Sequence, residues 1–490
     1  MRKPRVLLAH SYYLVHDAKQ WRKMKPYPPL ATLFVASVLR DRGFEVELFD
    51  AMLARSEAEF VRALDASEAP IVGILEDNFN FLTKMCTTRN REAALAMVAA
   101  AHARGRRVAV NGSDATDHPE TYLAAGADAV VLGEADATFP ELAATWARDP
   151  GAGLDAIPGL ALADGDGADG PPGVRKTPVR AFVESLDALP YPAWDLVDVA
   201  QYRAAWIPAH GRMSWNVVTT RGCPFHCNWC AKPLYGTRYA QRSPANVARE
   251  VRHLAATVNP DHLWFADDIF GLSPRWIESY AEALAKEGVR IPFTVQSRVD
   301  LMTRSAVAAL RHAGAEEVWM GVESGAQKIL DAMDKGTHIV QTRDATGLLR
   351  QHGIRAAWFL QLGYPGETWE DILATRDLVR EERPDDVGVS VAYPLPGTLF
   401  HERVKEQLGA RTNWSDSDDL AMMFRGTYEG AFYKRVRDLL HEEVAAFSAT
   451  GNAAGEAQAL FDTRWADLAD SEASFRTERS AAVPSGLARA

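Results

Sequence analysis

The chain is poor in cysteine. Four among 490 residues, unevenly placed, are too few for a disulfide framework. Positive charge is not in excess either. With 54 basic against 65 acidic residues the net charge is −11, which argues against a general electrostatic grip on nucleic acid. No apolar run approaches the roughly 18–20 residues of a membrane span. The start, Met-Arg-Lys-Pro-Arg-Val-Leu-Leu-Ala-His, reads as the entry to a strand rather than a signal peptide, so the reducing cytoplasm is the expected location. A GxGxxG run is also missing, so a dinucleotide is not expected. What remains is an ordinary globular composition, 47% hydrophobic and 24% charged, long enough for two or three domains.

Three of the four cysteines fall in one short run, Arg221-Gly-Cys-Pro-Phe-His-Cys-Asn-Trp-Cys230. The CxxxCxxC spacing of Cys223, Cys227 and Cys230 gathers three thiolates on one loop and leaves a fourth position without a protein ligand. A structural zinc site is closed by four ligands, usually from two knuckles, and no second knuckle exists here. A three-cysteine zinc site completed by His226 would need its ring to fold back into its own loop. Iron–sulfur clusters are normally held by four thiolates. Three therefore imply a [4Fe–4S] cluster with one iron open to a small molecule. The motif closely resembles the signature of the radical S-adenosylmethionine (SAM) enzymes, whose open iron chelates the amino and carboxylate groups of SAM.

Residues 1–148 alternate short apolar runs (Val6–Ala9, Val46–Phe49, Ile71–Leu75, Val108–Val110, Ala129–Leu132) with helical periods. Five β/α units of this kind predict an α/β, doubly wound, flavodoxin-like domain whose ligand would sit beyond the strand ends. Lys25-Pro-Tyr-Pro-Pro-Leu30, Val131-Leu-Gly-Glu134 and the CxxxCxxC run downstream resemble the cobalamin-binding radical SAM enzymes. That resemblance implies cobalamin over the strand ends. The DxHxxG motif is absent, and His10 and His16 stand at the wrong spacing, so a base-off cobalamin without a histidine ligand is expected. Tyr12, Glu76, Asn78, Phe79 and Asn80 are candidates for its lower side. Gly112, Ser113, Gly133 and Glu134 occupy the neighbouring strand-end loops.

Residues 149–212 read as a connector, with a Gly/Pro/Asp turn cluster at Asp164–Gly173 and Tyr191 and Trp194 packing on a domain surface. Strand–helix alternation restarts at 213. Six units to about 398 resemble the partial (β/α)6 barrel of radical SAM enzymes, with chemistry at the carboxyl ends of its strands. There the resemblance implies a set of SAM contacts. The paired carboxylates Asp267 and Asp268 suit the ammonium, Arg298 the carboxylate, and Glu323 a ribose hydroxyl or the ammonium. Gln296 and Ser324 share those strand ends, and Gly363 opens an adenine-side loop. Taken singly, each has an ordinary reading as a cap or a turn.

Residues 399–472 read as a helical C-terminal extension, with the distinctive run Thr412–Gly426, and 473–490 as a disordered tail. Cys86 is a leftover thiol, Trp229 a possible shield for the cluster, and Lys232 and Tyr235 candidates for the cleft wall. The likeness is greatest to the branch holding the anaerobic magnesium-protoporphyrin monomethyl ester oxidative cyclase and hopanoid-associated relatives. The expected activity is cobalamin-dependent radical SAM C-methylation of a small or medium-sized metabolite, with a flavodoxin or ferredoxin as electron donor. Cyclisation or ring rearrangement without methyl transfer is the alternative. A non-enzymatic cobalamin and iron–sulfur sensor would not need the SAM-side residues.

Overall fold

The computed structural model describes residues 3–85, 87–164, 173–230, 238–409, 413–450 and 454–477. Cys86, Lys232 and Tyr235 lie outside the described residues.

The first sheet contains β1 (Arg5–Ala9), β2 (Glu45–Phe49), β3 (Ile71–Leu75), β4 (Arg107–Asn111), β5 (Ala129–Val131), β6 (Leu160–Asp164) and β7 (Gly173–Lys176), in the order β2-β1-β3-β4-β5-β6-β7. The first five are parallel, as their continuous apolar runs predict. Alternate residues serve opposite faces. Leu7 and Ala9 join Phe60, Leu64 and Met97 on one side, while Val6 and Leu8 meet Val35, Leu39 and Phe139 on the other. The expected boundary at 148 falls inside this sheet. The supposed connector supplies β6 and β7: β6 pairs antiparallel with β5 and β7 with β6, covering an edge of β5 that would expose unpaired backbone.

The second sheet is six parallel strands, the half-barrel foreseen from 213 onward. They are β8 (Ser214–Val217), β11 (His262–Phe265), β12 (Phe293–Ser297), β13 (Ala315–Glu323), β14 (Arg355–Leu362) and β15 (Asp386–Val391), side by side in chain order. A short antiparallel ribbon, β9 (Thr220–Arg221) with β10 (Ala240–Gln241), flanks the loop after β8. Helices between the strands start where capping chemistry dictates. Ser243 accepts from Asn246 N ahead of Pro244, and Thr303 accepts from Ala306 N.

One apolar cluster runs from Tyr12, Leu30 and Phe34 of the first domain through Trp194 and Tyr202 to Trp215 and Val217 of the barrel. The connector helix Val199–His210 ties the two together: Tyr202 Oη donates to Asp50 (2.8 Å) and Trp206 Nε1 to the Pro26 carbonyl (2.7 Å). The C-terminal region is less helical than its composition suggests, because 413–429 carries no helix before Gly430–Thr450. This run crosses to the first domain instead. Ser417 N and Oγ both donate to Asp17 at 2.9 Å, and Thr88 N donates to the Trp414 carbonyl at 2.8 Å. The start of the expected tail is also ordered. Glu429 N donates to Phe475 O, and Thr477 N to Thr427 O. Residues 478–490 lie outside the described residues. Among the described residues no helix is long and apolar enough to cross a membrane.

Candidate active site

The loop after β8 carries the three thiols, and its anchoring starts at Asp267, the second residue after β11. Asp267 is buried and accepts from Thr219 N and Oγ1 and from Thr220 N, each at 2.7 Å, and from Thr220 Oγ1 at 3.0 Å. This carboxylate is already engaged, so Asp267 holds the strand end rather than waiting for an ammonium. Asn228, inside the motif, fastens the loop to the opposite wall. Its Nδ2 donates to Ala332 O and to Asp334, its Oδ1 accepts from Tyr364 Oη, and its carbonyl accepts from Phe400 N. Sequence reasoning missed Asn228.

Cys223 is buried, with Cys227 and Cys230 half-buried. Desolvation, then Asp268 and the other two thiols, push Cys230 up to about 12. A positive centre beside Cys230, such as an iron–sulfur cluster provides, would favour its thiolate. Among the described residues no three His, Cys, Asp or Glu side chains could hold a single metal ion, and His226 is exposed.

The barrel's strand ends surround this loop. Arg298 was expected to meet a carboxylate of SAM. Its Nε and Nη2 instead grip Asp300 (2.9 and 3.1 Å), Nη2 also donates to Lys335 O (2.8 Å), and Nη1 reaches Cys227 Sγ at 3.6 Å. Glu323, at φ 65°, is ion-paired with buried Lys335 at 2.7 Å. Ser324 is wholly buried and closes a turn, accepting from Ala326 N, so it too is structural. Gly363 N is taken by Glu367 Oε2 at 2.6 Å. Gln296 stands half-buried on β12, and Asp268 is partly exposed. Two further side chains escaped notice in the sequence. Gln361 on β14 and Glu367 are buried, each with a side-chain oxygen lacking a hydrogen-bond partner among the described residues. A lone glutamine in the apolar run Ala356–Leu362 was the available signal.

On the first domain, the strand ends present a comparable set. Tyr12 Oη, Glu76 Oε2, Asn78 Oδ1 and Ser113 Oγ are buried and lack partners among the described residues. Buried polar atoms are nearly always paired, so these four, after β1, β3 and β4, fit a polar ligand laid over the sheet. Glu76 and Asn78 are also held in place. Glu76 Oε1 accepts from Ser11 N and Oγ, and Asn78 Nδ2 donates to Asn111. Gly112 leaves room for the Glu76 side chain, Asn80 caps the turn into the next helix, and the Gly133 carbonyl accepts from Asn111. Two candidates serve the domain junction instead. Glu134 accepts from Arg221 Nη1 (2.8 Å) and Val183 N (2.6 Å), and Phe79 packs beside Phe34 and the Arg221 guanidinium. His10 is buried, its Nε2 hydrogen-bonded to Asp50 and Ala51 N, while His16 stacks on Tyr13.

The two sets of strand ends meet. Lys84, on the short helix Phe81–Met85 that follows β3, is ion-paired with Asp268 after β11, and Arg221 at the head of the cysteine loop pairs with Asp136 as well as Glu134. A small cleft lined by Lys84 lies at this junction. Met85, Tyr393, Pro394, Leu395 and Met423 give it an apolar wall, and Lys84, Asp114, Asp117 and His118 a polar one. The crossing run near Asn413 bounds it.

Known proteins bear the same two-part pattern. Residues 25–143 match the model of the B12 binding domain, and 217–379 that of the Radical SAM superfamily. An uncharacterized methyltransferase of Pyrococcus horikoshii is 27% identical over 79% of this chain and 81% of its own length. The hopanoid C-3 methylase of Methylococcus capsulatus is 27% identical over 78% and 70%. The anaerobic magnesium-protoporphyrin IX monomethyl ester cyclase of Rubrivivax gelatinosus is 28% identical over 56% of this chain, but only 49% of the cyclase is spanned. The radical SAM methyltransferase TsrM of Kitasatospora setae, solved with cobalamin and a [4Fe–4S] cluster, shares the fold at a TM-score of 0.66. It is 21% identical, over 84% of this chain and 79% of that one.

Proposed function

This chain belongs to the cobalamin-binding radical SAM enzymes, using a [4Fe–4S] cluster, SAM and cobalamin, and from that premise we propose that it C-methylates an unactivated carbon of a small or medium-sized metabolite. The observation that carries this reading is the meeting of the strand ends of both domains, where Lys84 after β3 pairs with Asp268 after β11. When bound, reduced cluster and SAM supply a 5′-deoxyadenosyl radical that removes hydrogen, and cobalamin supplies the methyl group.

In this reading Cys223, Cys227 and Cys230 hold the cluster. Asp268, Gln296, Glu323 and Gln361 line the SAM side, and Tyr12, Glu76, Asn78 and Ser113 the cobalamin side. The protein contributes position and exclusion of water. The apolar wall formed by Tyr393–Pro396 and Met423 suits a hydrophobic body, and Asp117 and His118 suit a polar end. A small cytoplasmic reductase such as a flavodoxin or ferredoxin would deliver the electron.

Cyclisation without methyl transfer is the second reading, and the likeness to the cyclase keeps it in view. The relatives named as methyltransferases span more of both chains, which favours methylation. Anaerobic turnover with metabolite extracts separates the two. A product one CH₂ heavier than a consumed substrate, formed together with 5′-deoxyadenosine, is expected. A product without added carbon would overturn the methyltransferase reading.

A further inference from the structure

Two buried cations stand against the cysteine loop, each paired with a carboxylate, and Arg298 also reaches a cysteine sulfur. Lys335 has its charge answered at once by Glu323, 2.7 Å away and equally buried. Arg298 divides its donors. Nε and one arm are fixed by Asp300, and the same arm reaches the Lys335 carbonyl. The other arm, Nη1, points at Cys227 Sγ. The guanidinium also lies over the Phe225 ring, 3.7 Å from its centroid. Phe225 is two residues before Cys227, so the stack and the sulfur contact bind one side chain to one stretch of loop. A planar fork held on three sides has little freedom to leave the sulfur.

We propose that Arg298 is a positioning residue for the iron–sulfur cluster: its Nη1 donates a hydrogen bond to the Cys227 sulfur and makes the cluster easier to reduce. The inference rests on the reading that the three cysteines hold a cluster. Hydrogen bonds to cluster sulfurs and nearby charge are among the factors that set reduction potentials. The reduced cluster carries one more negative charge than the oxidised one, so a hydrogen bond donated to its ligand sulfur stabilises it more, while Asp300 offsets part of the guanidinium's own charge. Arg298 therefore serves the electron that starts the reaction, rather than the carboxylate of SAM.

The test is a redox titration of anaerobically reconstituted full-length protein without SAM, followed by electron spin resonance, with iron and sulfide counted per chain. In Arg298→Gln the reduced-to-oxidised ratio at fixed potential should fall about tenfold, a shift of about 59 mV to more negative values for a one-electron couple. Arg298→Lys keeps the charge but loses the fork and should fall between. Phe225→Leu, which removes the stack and leaves the charge, should also shift the potential downward, and it decides the matter if Arg298→Gln assembles no cluster. A wild-type potential in cluster-loaded variants overturns the inference while the cluster reading stands. A wild-type chain that binds no cluster overturns both.

Discussion

Asp267 and Asp268 are neighbours in sequence and opposites in situation. Asp267 is 1% exposed and accepts from Thr219 and Thr220, while the Asp268 side chain is 28% exposed and faces Lys84 from the other domain. A sequence shows two carboxylates after a strand; which one turns inward depends on the strand's end, which it does not show. The thiols were legible because spacing alone brings them together. Asn228 was not, because its partners near Ala332, Tyr364 and Phe400 lie more than 100 residues away. Glu367 is a buried acid whose carboxyl is pushed up to about 8, by desolvation above all and opposed by the Gly363 N–H. Its folded value lies above its unfolded one, so between about pH 4.5 and 8 the unfolded chain binds fewer protons and stability falls as pH rises. Glu367→Gln mimics the protonated acid. Its denaturation temperature relative to wild type should rise steadily from pH 5 to pH 8, whereas a constant difference would show that Glu367 is ionised in the fold.

At the scale of elements, the parallel strands were legible because each is a short apolar run, and their order follows the chain in the barrel. The hairpin β6–β7 was not, since Leu160–Asp164 and Gly173–Lys176 are short and flank a turn-rich run that dominates the local composition. The stretch after β13 shows how tightly strand ends are fitted. A Cβ on Gly325 would stand 2.4 Å from Ala374 O and 2.6 Å from Thr375 Cα, both backbone atoms of the helix Trp369–Glu382, and Gly325 N donates to Thr375 Oγ1. Backbone cannot move aside as a flexible side chain would. Gly325→Ala should cost about 1–3 kcal/mol and displace the turn carrying Glu323. A lowered thermal midpoint with weakened SAM binding is the expected result. Unchanged stability would mean that the helix yields freely.

At the scale of the whole molecule, two domains legible separately are joined by contacts that were not. Arg221 is 5% exposed and pairs with Glu134 and Asp136, placing the head of the cysteine loop against the first domain. Removing one member of a buried ion pair typically costs about 3–5 kcal/mol because the partner's charge stays behind. Arg221→Gln would strand two carboxylates at the junction. Calorimetry should show the two domains melting apart, and a single transition at the wild-type temperature would deny the junction its role. The junction of the two domains and the methyltransferase relatives support the proposed methyl transfer, and one measurement tests that most directly. Anaerobic protein loaded with cobalamin and cluster is first exposed to SAM bearing a labelled methyl group, then chased with unlabelled SAM and substrate. Methyl transfer through the shared cleft predicts label in the first product formed, with 5′-deoxyadenosine released alongside. Substrate consumed with 5′-deoxyadenosine but no label in any product would contradict it.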